Sequence, residues 1–235
     1  MSFAARQRPT PFSILVVCTG NICRSPLAEQ LLRARFAARG LDVTVTSAGT
    51  GAAAGSPMTP EAAALSIHYG GAPAHHRATE LTETLVANAD LVLTATRDHR
   101  HAVAKLHPRA ARYTYTLAQF SRLISGLSPT EPGVARRDPF ALTPTDIATE
   151  SDDREGFDPL HRRLSALLDE VAASRGFALP PAHPETDDIE DPYRQPPEVY
   201  DRVGALVDSS VGTIAAFLAT TTTTATATDT GKAEE

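Results

Sequence analysis

The feature that most constrains this chain is a short segment near its N-terminus, residues 14–26, that joins a strand pattern to a helix start. The apolar run at 14–17 is mostly β-branched, which is typical of a buried parallel strand. A Gly-Asn pair at 20–21 tolerates the unusual backbone angles of a tight turn. Ser25 is suited to a helix N-cap and the proline after it to the first helical position. A strand, a turn and a helix in this order predict an α/β fold, with the loop at the carboxyl end of the strand.

This loop holds two side chains with complementary chemistry, Cys18 and Arg24. Backbone N–H groups at a helix N-terminus attract an anion, and the same field favours the nucleophilic thiolate form of a cysteine. The planar guanidinium of an arginine matches two oxygens of a tetrahedral anion. The pair therefore predicts phosphoryl transfer to sulfur, through a cysteinyl-phosphate that water then hydrolyses.

The rest of the chain alternates between strand and helix patterns. Further strands are predicted at 42–47, 90–94 and 112–116, and helices at 60–69, 80–88, 97–106 and 117–124. This alternation favours a parallel sheet that helices cover on both faces. Residues 125–154 predict a long surface loop, and a helix is expected from 159 to about 176. A last helix is predicted from about 197 to 218, with inward-facing residues Val199, Val203, Leu206, Ile214 and Phe217.

Residues 17–26, Val-Cys-Thr-Gly-Asn-Ile-Cys-Arg-Ser-Pro, strongly resemble the signature loop of the low-molecular-weight protein tyrosine phosphatases. The resemblance covers about 14–120 and 188–218, and it implies a doubly wound four-stranded parallel sheet of flavodoxin-like order 2-1-3-4, with helices on both faces. We expect one phosphatase domain over 1–218. The family offers no template for 125–187, which we interpret as a partly helical insertion, and the Thr/Ala-rich tail at 219–235 is predicted to be disordered.

The resemblance also implies roles for individual residues. Cys18 is the nucleophile, Arg24 binds the phosphate, and Asp191 of Asp191-Pro-Tyr193 is the general acid that later activates water. His76 supports the loop, and Tyr193 walls the cleft and stacks on a phosphotyrosine ring. The expected substrate-binding residues are Thr19, Gly20, Asn21, Ile22, Cys23, Ser25 and Tyr193.

Arg194 departs from the family pattern, and Cys23 is an additional cysteine in the loop of Cys18. Arg194 stands where many relatives have a second aromatic residue, which weakens the case for phosphotyrosine selectivity. Cys23 is a second cysteine in the loop, and in some relatives such a residue forms a reversible disulfide with the nucleophile. We therefore hypothesise that oxidation of Cys18 is trapped as a Cys18–Cys23 bond.

Composition excludes several other classes of function. A net charge of −6 with no basic stripe argues against nucleic-acid binding, and no apolar run approaches the ~20 residues of a membrane span. Both cysteines lie in the loop, which favours a reducing, cytoplasmic location. The spacings of His75-His76 and His99-x-His101 match no metal motif, so neither a metal nor a cofactor is expected.

Two alternatives share the same loop. One is an arsenate reductase that uses an external small thiol, since no cysteine follows Cys23 to act as a resolving thiol. The other is a phosphate-binding module without catalysis. The expected partners are phosphotyrosyl proteins, which the resemblance suggests are bacterial tyrosine kinases or polysaccharide-synthesis proteins, and the oligomeric state stays open.

Overall fold

The computed structural model of the protein describes residues 11–127, 159–175 and 180–223. Its sheet contains four strands: β1 Phe12–Cys18, β2 Val43–Gly49, β3 Leu91–Thr94 and β4 Thr114–Thr116. All of them pair in parallel in the order β2-β1-β3-β4, which confirms the predicted sheet. Strand β2 lies on one side of β1, and β3, the next strand along the chain, lies on the other side. The direction in which strands are added therefore reverses at β1. A parallel sheet binds ligands at the carboxyl end of such a switch point, where β1 ends at Cys18.

Helices cover both faces of this sheet, as predicted. They are α1 Arg24–Ala37, α2 Pro60–His68, α3 Glu83–Ala87, α4 Arg97–Leu106, α5 Leu117–Ser125, α6 Pro159–Ser174 and α7 Pro197–Thr223. Successive side chains of β1 point to opposite faces, so Ile14 and Val16 join the core under α1, α2, α5, α6 and α7. Leu15 and Val17 join a smaller core with residues of α3 and α4.

Three local predictions about helices were wrong. Helix α1 begins at Arg24 with Cys23 at its N-cap, two residues before the predicted cap at Ser25. Leu206 is exposed, and Val207 takes the inward position because the helical repeat from Val203 places residue 207 on the buried face. Helix α7 also continues to Thr223, past the predicted end at 218.

Helix α7 is long and apolar enough, from Pro197 to Thr220, to cross a membrane by length and composition, and it is the one helix among the described residues that passes this test. The prediction that no apolar run approaches that length was therefore wrong. A core helix passes the same test, and α7 packs against α1 and α5 through fully buried residues such as Val207, Val211 and Ile214.

Helix α6 confirms the helix predicted from residue 159 onward, and it packs onto the main core. Leu164 and Val171 are fully buried there, and the His161 ring meets the Phe12 ring edge-on with centroids 5.5 Å apart. At the end of the helix the Arg175 guanidinium lies 4.5 Å over the Tyr115 ring. Most of the surface loop predicted at 125–154 lies outside the described residues, which leave out 128–158 and 176–179. Of the tail predicted to be disordered at 219–235, residues 219–223 belong to α7, so the prediction was wrong there, and 224–235 lie outside the described residues.

Candidate active site

The segment that leaves β2 holds the loop after Cys18 in an open shape. Backbone N–H groups of Thr50, Gly51 and Ala53 bind the carbonyl oxygens of residues 18, 19 and 20 at 2.9, 3.1 and 3.0 Å. The loop's own N–H groups at residues 19–23 have no acceptor among the residues that the structure describes. Gly49 makes this approach possible, because a Cβ there would lie 2.3 Å from the Thr19 carbonyl oxygen. The loop therefore presents a row of free donors, which suits an anion.

Asn21 fixes the turn of the loop from the inside. It is fully buried and has a φ of 55°, a left-handed conformation that asparagine tolerates. Its side-chain nitrogen donates to Ser25 Oγ at 2.9 Å and to Ser47 Oγ at 2.8 Å, and its oxygen accepts the Thr79 N–H at 2.8 Å. His76 Nε2 donates to the Asn21 carbonyl oxygen at 2.7 Å, so His76 lies where a supporting residue was expected.

Ser25 faces the Cys18 sulfur instead of capping α1. Its Oγ lies 2.9 Å from Cys18 Sγ and accepts from the Asn21 amide, so its own hydrogen is available to donate to the sulfur. A hydroxyl that donates to a sulfur atom favours the thiolate form of that sulfur. This is the physical reason why the predicted N-cap was wrong.

Arg24 joins the loop to a segment from the other end of the chain. Its side chain is 5% exposed, and Nη1 donates to the Ile189 carbonyl oxygen at 3.1 Å. Nη2 lies 2.7 Å from Asp191 Oδ2 and 3.5 Å from Thr19 Oγ1, whereas Nε has no partner among the described residues. Nε and Nη2 form one edge of the guanidinium, the edge that binds an anion through two hydrogen bonds. Asp191 therefore occupies half of an anion-binding fork.

The residues before Asp191 anchor this acid segment, which we define as residues 187–191. Asp188 accepts from the backbone N–H of Arg97 at 2.7 Å and from its Nη2 at 2.8 Å. Burial raises the pKa of the Asp188 carboxyl, but the Arg97 bonds outweigh burial and the net shift is downward. The Ile189 N–H donates to the Ala95 carbonyl oxygen at 2.8 Å. Asp191 is the last residue of this anchored segment; it is half-exposed, and its Oδ1 accepts the Tyr193 backbone N–H at 3.2 Å.

His99 is a site residue that the sequence interpretation considered only as a metal ligand. It is buried, and its Nε2 lies 2.8 Å from Thr19 Oγ1 while its Nδ1 lies 2.7 Å from Thr96 Oγ1. Burial lowers its pKa to about 4, and the nearby Arg24 contributes in the same direction. Within the described ranges no three His, Cys, Asp or Glu side chains form a group that could hold a metal ion.

Both cysteines are reduced in the structure. The Cys23 thiol is buried and turns toward α2, with its sulfur 3.5 Å from Thr59 Oγ1. Burial raises the pKa of Cys23, so this thiol stays protonated at neutral pH. The two loop cysteines thus have different environments: Cys18 contacts the Ser25 hydroxyl at the centre of the loop, and Cys23 packs behind it.

Comparison with known proteins identifies the family. The family model described as low molecular weight phosphotyrosine protein phosphatase matches residues 13–176, more than half of the chain. The chain belongs to this family. It is therefore an enzyme, a phosphatase, and the two alternatives raised from the sequence are not favoured. The match extends into 125–176, for which the resemblance offered no template, and it ends before Asp191.

Individual relatives of this phosphatase carry two kinds of name. It is 39% identical over 110 residues to a probable low molecular weight protein-tyrosine-phosphatase, EpsP, of Ralstonia nicotianae, covering 47% of this chain and 73% of that protein. It is 38% identical over 109 residues to a protein-arginine-phosphatase of Bacillus subtilis, covering 46% and 71%. A YwlE arginine phosphatase from Geobacillus stearothermophilus shares the fold with a TM-score of 0.57 and 26% identity, over 89% of this chain and 94% of that one.

The rim of the phosphatase site carries one aromatic side chain beside the acid segment. Tyr193 is 43% exposed, and the Arg194 guanidinium carbon lies 5.0 Å from its ring centroid. Arg194 adopts a φ of 61°, a left-handed conformation that turns the backbone at this residue. On the loop itself Ile22 is half-buried.

Proposed function

We propose that this enzyme hydrolyses phosphotyrosyl proteins, with Cys18 as nucleophile, Arg24 as phosphate ligand and Asp191 as general acid and base. The observation that carries the proposal is the 2.7 Å contact between Arg24 Nη2 and Asp191 Oδ2. It joins the buried Arg24, at the start of α1 where the loop ends, to a half-exposed carboxyl from the far end of the chain. We further propose that residues 1–218 form one phosphatase domain.

Substrate binding begins with competition for Arg24. A phosphoryl group carries two negative charges and fits the Nε and Nη2 edge of the guanidinium, as well as the free N–H groups of residues 19–23. When a phosphoryl oxygen takes Nη2, Asp191 loses its partner there. Its carboxyl is then released beside the bound group, where the bridging oxygen of the ester would lie.

The two chemical steps follow from this arrangement. In the first, the Cys18 thiolate attacks phosphorus, the bond to the phenolic oxygen breaks, and Asp191, which takes up a proton from solvent once it has left Arg24, donates that proton to the oxygen. In the second, Asp191 takes a proton from water, the water oxygen attacks phosphorus, and the sulfur leaves with a hydrogen bond from Ser25. Arg24 and the loop amides hold the equatorial oxygens, whose charge they stabilise in both transition states.

The rim favours an aromatic leaving group over an arginine. Tyr193 offers an exposed ring face on which a phosphotyrosine ring can stack. Arg194 adds a positive charge over that ring, which disfavours a second guanidinium at the same place. We therefore propose phosphotyrosine as the substrate side chain. The relatives similar to this chain include one named as a tyrosine phosphatase and one named as an arginine phosphatase.

The partners we propose are bacterial phosphoproteins, with tyrosine kinases or polysaccharide-synthesis proteins as the specific candidates. The relatives named above are bacterial proteins, and EpsP of Ralstonia nicotianae carries a tyrosine-phosphatase name. We propose a cytoplasmic location, which agrees with two reduced cysteines beside each other in one loop.

The direct test is to trap the intermediate and to compare substrates. Rapid acid quenching with a phosphotyrosyl peptide should yield a phosphate adduct on Cys18 by mass spectrometry, and Cys18→Ser should abolish turnover. Arg24→Lys, which keeps the charge but loses the two-bond edge, should bind phosphate less tightly than wild type. A matched phosphoarginine peptide should be hydrolysed more slowly. Faster hydrolysis of that peptide would reject the tyrosine assignment, and an adduct on another residue would reject the nucleophile.

A further inference from the structure

His99 is a buried histidine beside the loop that the two chemical steps above do not use. It is 7% exposed and lies on the first turn of α4, just after the carboxyl end of β3. Its two ring nitrogens are both occupied, Nε2 by Thr19 Oγ1 at 2.8 Å and Nδ1 by Thr96 Oγ1 at 2.7 Å. The ring therefore bridges the N-cap of α4 and the residue that follows the nucleophile.

Thr96 selects which ring nitrogen carries the proton. As the N-cap of α4, its oxygen accepts the backbone N–H of His99 at 3.4 Å, which leaves its own hydrogen to donate. If this hydrogen goes to Nδ1, the neutral imidazole carries its proton on Nε2 and donates it to Thr19. The opposite tautomer would leave the half-buried Thr96 hydroxyl without an acceptor among the residues that are described, which is costly.

The charges around His99 keep the ring neutral at pH 7. Burial and the guanidinium of Arg24 lower its pKa to about 4, against the opposing carboxylates Asp191, Asp98 and Asp188. A neutral ring donates one hydrogen bond through Nε2 without adding a second cation beside Arg24. It therefore orients its neighbour without competing for the anion.

Thr19 is the neighbour that this arrangement orients. Its oxygen accepts from His99 Nε2 at 2.8 Å and receives a longer contact from Arg24 Nη2 at 3.5 Å. Both of these groups are donors, so the hydroxyl hydrogen of Thr19 is left free. The residue is exposed at the mouth of the loop, next to the guanidinium edge that suits an anion.

We propose that His99 is a positioning residue, which holds the Thr19 hydroxyl as a hydrogen-bond donor to a non-bridging oxygen of the phosphoryl group. The proposal rests on the function proposed above for Cys18 and Arg24, and it adds a donor to their site. It needs no additional reactant, because only a hydrogen bond forms.

The test uses variants of both residues in the full-length enzyme, with a phosphotyrosyl peptide as substrate and inorganic phosphate as inhibitor. Thr19→Val removes the hydroxyl at nearly constant volume. This variant should lower kcat/KM about tenfold and raise the inhibition constant of phosphate about tenfold. Thr19→Ser, which keeps the hydroxyl, should stay within about threefold of wild type. His99→Phe should resemble Thr19→Val, and His99→Gln, which keeps an N–H donor, should recover much of the loss.

The double variant distinguishes positioning from a general structural effect. If His99 acts through Thr19, Thr19→Val combined with His99→Phe should be no worse than either single variant. His101→Gln is the matched control, since His101 is exposed on the same helix, and its kinetics should equal those of wild type.

Three results would overturn the proposal. They are wild-type kinetics and phosphate inhibition in Thr19→Val, an undiminished effect of His99→Phe on the Thr19→Val background, and a His99→Phe variant with a lower Tm but unchanged kinetics. Thr19 is exposed, so its variant tests the proposal even if His99→Phe does not fold. Cys18→Ser, assayed alongside, distinguishes the proposed function from the role of His99. Activity that survives in Cys18→Ser contradicts the proposed function. If Cys18→Ser is inactive but Thr19→Val behaves as wild type, only the role of His99 is contradicted.

Discussion

Replacing Asp191 with asparagine tests the mechanism most sharply, because the structure separates its effect on chemistry from its effect on folding. The Arg24–Asp191 contact is 2.7 Å long, but Asp191 is 51% exposed. Such half-solvated pairs contribute only about 0–1 kcal/mol to the free energy of unfolding. We therefore expect Asp191→Asn to unfold within about 1 kcal/mol of wild type.

The kinetic loss should be far larger, and it should depend on the leaving group. General acid catalysis supplies ~10²–10⁴ in rate, so kcat on a phosphotyrosyl peptide should fall by at least about a hundredfold. The p-nitrophenolate ion is a weak base that leaves without a proton, so the first step with p-nitrophenyl phosphate should be nearly intact. Since Asp191 also activates water, the intermediate should accumulate with that substrate and give a burst of product.

A second consequence concerns the ligand that Asp191 displaces from Arg24. An asparagine no longer competes as a charged partner for Nη2, so inorganic phosphate should inhibit Asp191→Asn more strongly than wild type. If the Arg24–Asp191 ion pair contributes up to about 1 kcal/mol, its removal should lower the inhibition constant of phosphate by up to about fivefold.

Stopped-flow and steady-state assays on both substrates measure these effects. Glu190→Gln is the matched control, because Glu190 adjoins Asp191 but forms an exposed pair with Arg202 at 3.2 Å. Its kinetics should equal those of wild type. A phosphotyrosine rate in Asp191→Asn within threefold of wild type, or an equal loss in Glu190→Gln, would refute the assignment of the general acid.

Three further outcomes are expected. Arg97→Gln removes the guanidinium that holds Asp188, so steady-state kinetics should show kcat about three- to tenfold lower with little change in Tm, and an unchanged kcat would show that this anchor is dispensable. Treatment with hydrogen peroxide should yield a Cys18–Cys23 disulfide that reductant reverses; mass spectra with only sulfinic acid on Cys18 would contradict it. Because the pKa of His99 is about 4 in the folded state and 6.5 as a free group, the unfolded chain binds more protons between these values. Stability should therefore fall by on the order of 3 kcal/mol from pH 6.5 to pH 4, and denaturant titrations of His99→Gln should lack this part of the slope.

The site residues that could be predicted from the sequence are those whose roles depend on near neighbours. Cys18 and Arg24 occupy one continuous loop between a strand and a helix. The alternation of strand and helix patterns predicted the parallel sheet, and the polar-faced pattern that ends before Pro108 predicted the bounds of α4 at 97–106. Ser25 shows the limit of such reasoning. Its type and position suit an N-cap, but its hydroxyl accepts from the buried Asn21 and faces the Cys18 sulfur instead.

Residues that act across long separations were harder to assign. His99 reaches Thr19 across 80 positions, and no spacing rule connects a histidine in a later helix to this loop. Leu206 and Val207 are adjacent and both apolar, so only the packing of α7 decides which one is buried.

By itself, then, the sequence predicted the kind of chemistry, since Cys18 and Arg24 lie six positions apart in one loop between a strand and a helix. The shape of that loop also depends on residues 47–53, His76 and Thr79, which reach it only in the folded chain. The family resemblance implied Asp191 and His76, but only the tertiary structure showed the Asp191 carboxyl against Arg24 and a second histidine, His99, against Thr19. Arg24 meets Ile189 across 165 positions, and contacts of that kind exist only after the sheet has brought the carboxyl ends of β1 and β3 to the same edge. The physical reason is that the side chains that bury and charge such a site are far apart in the sequence and come together only when the chain folds.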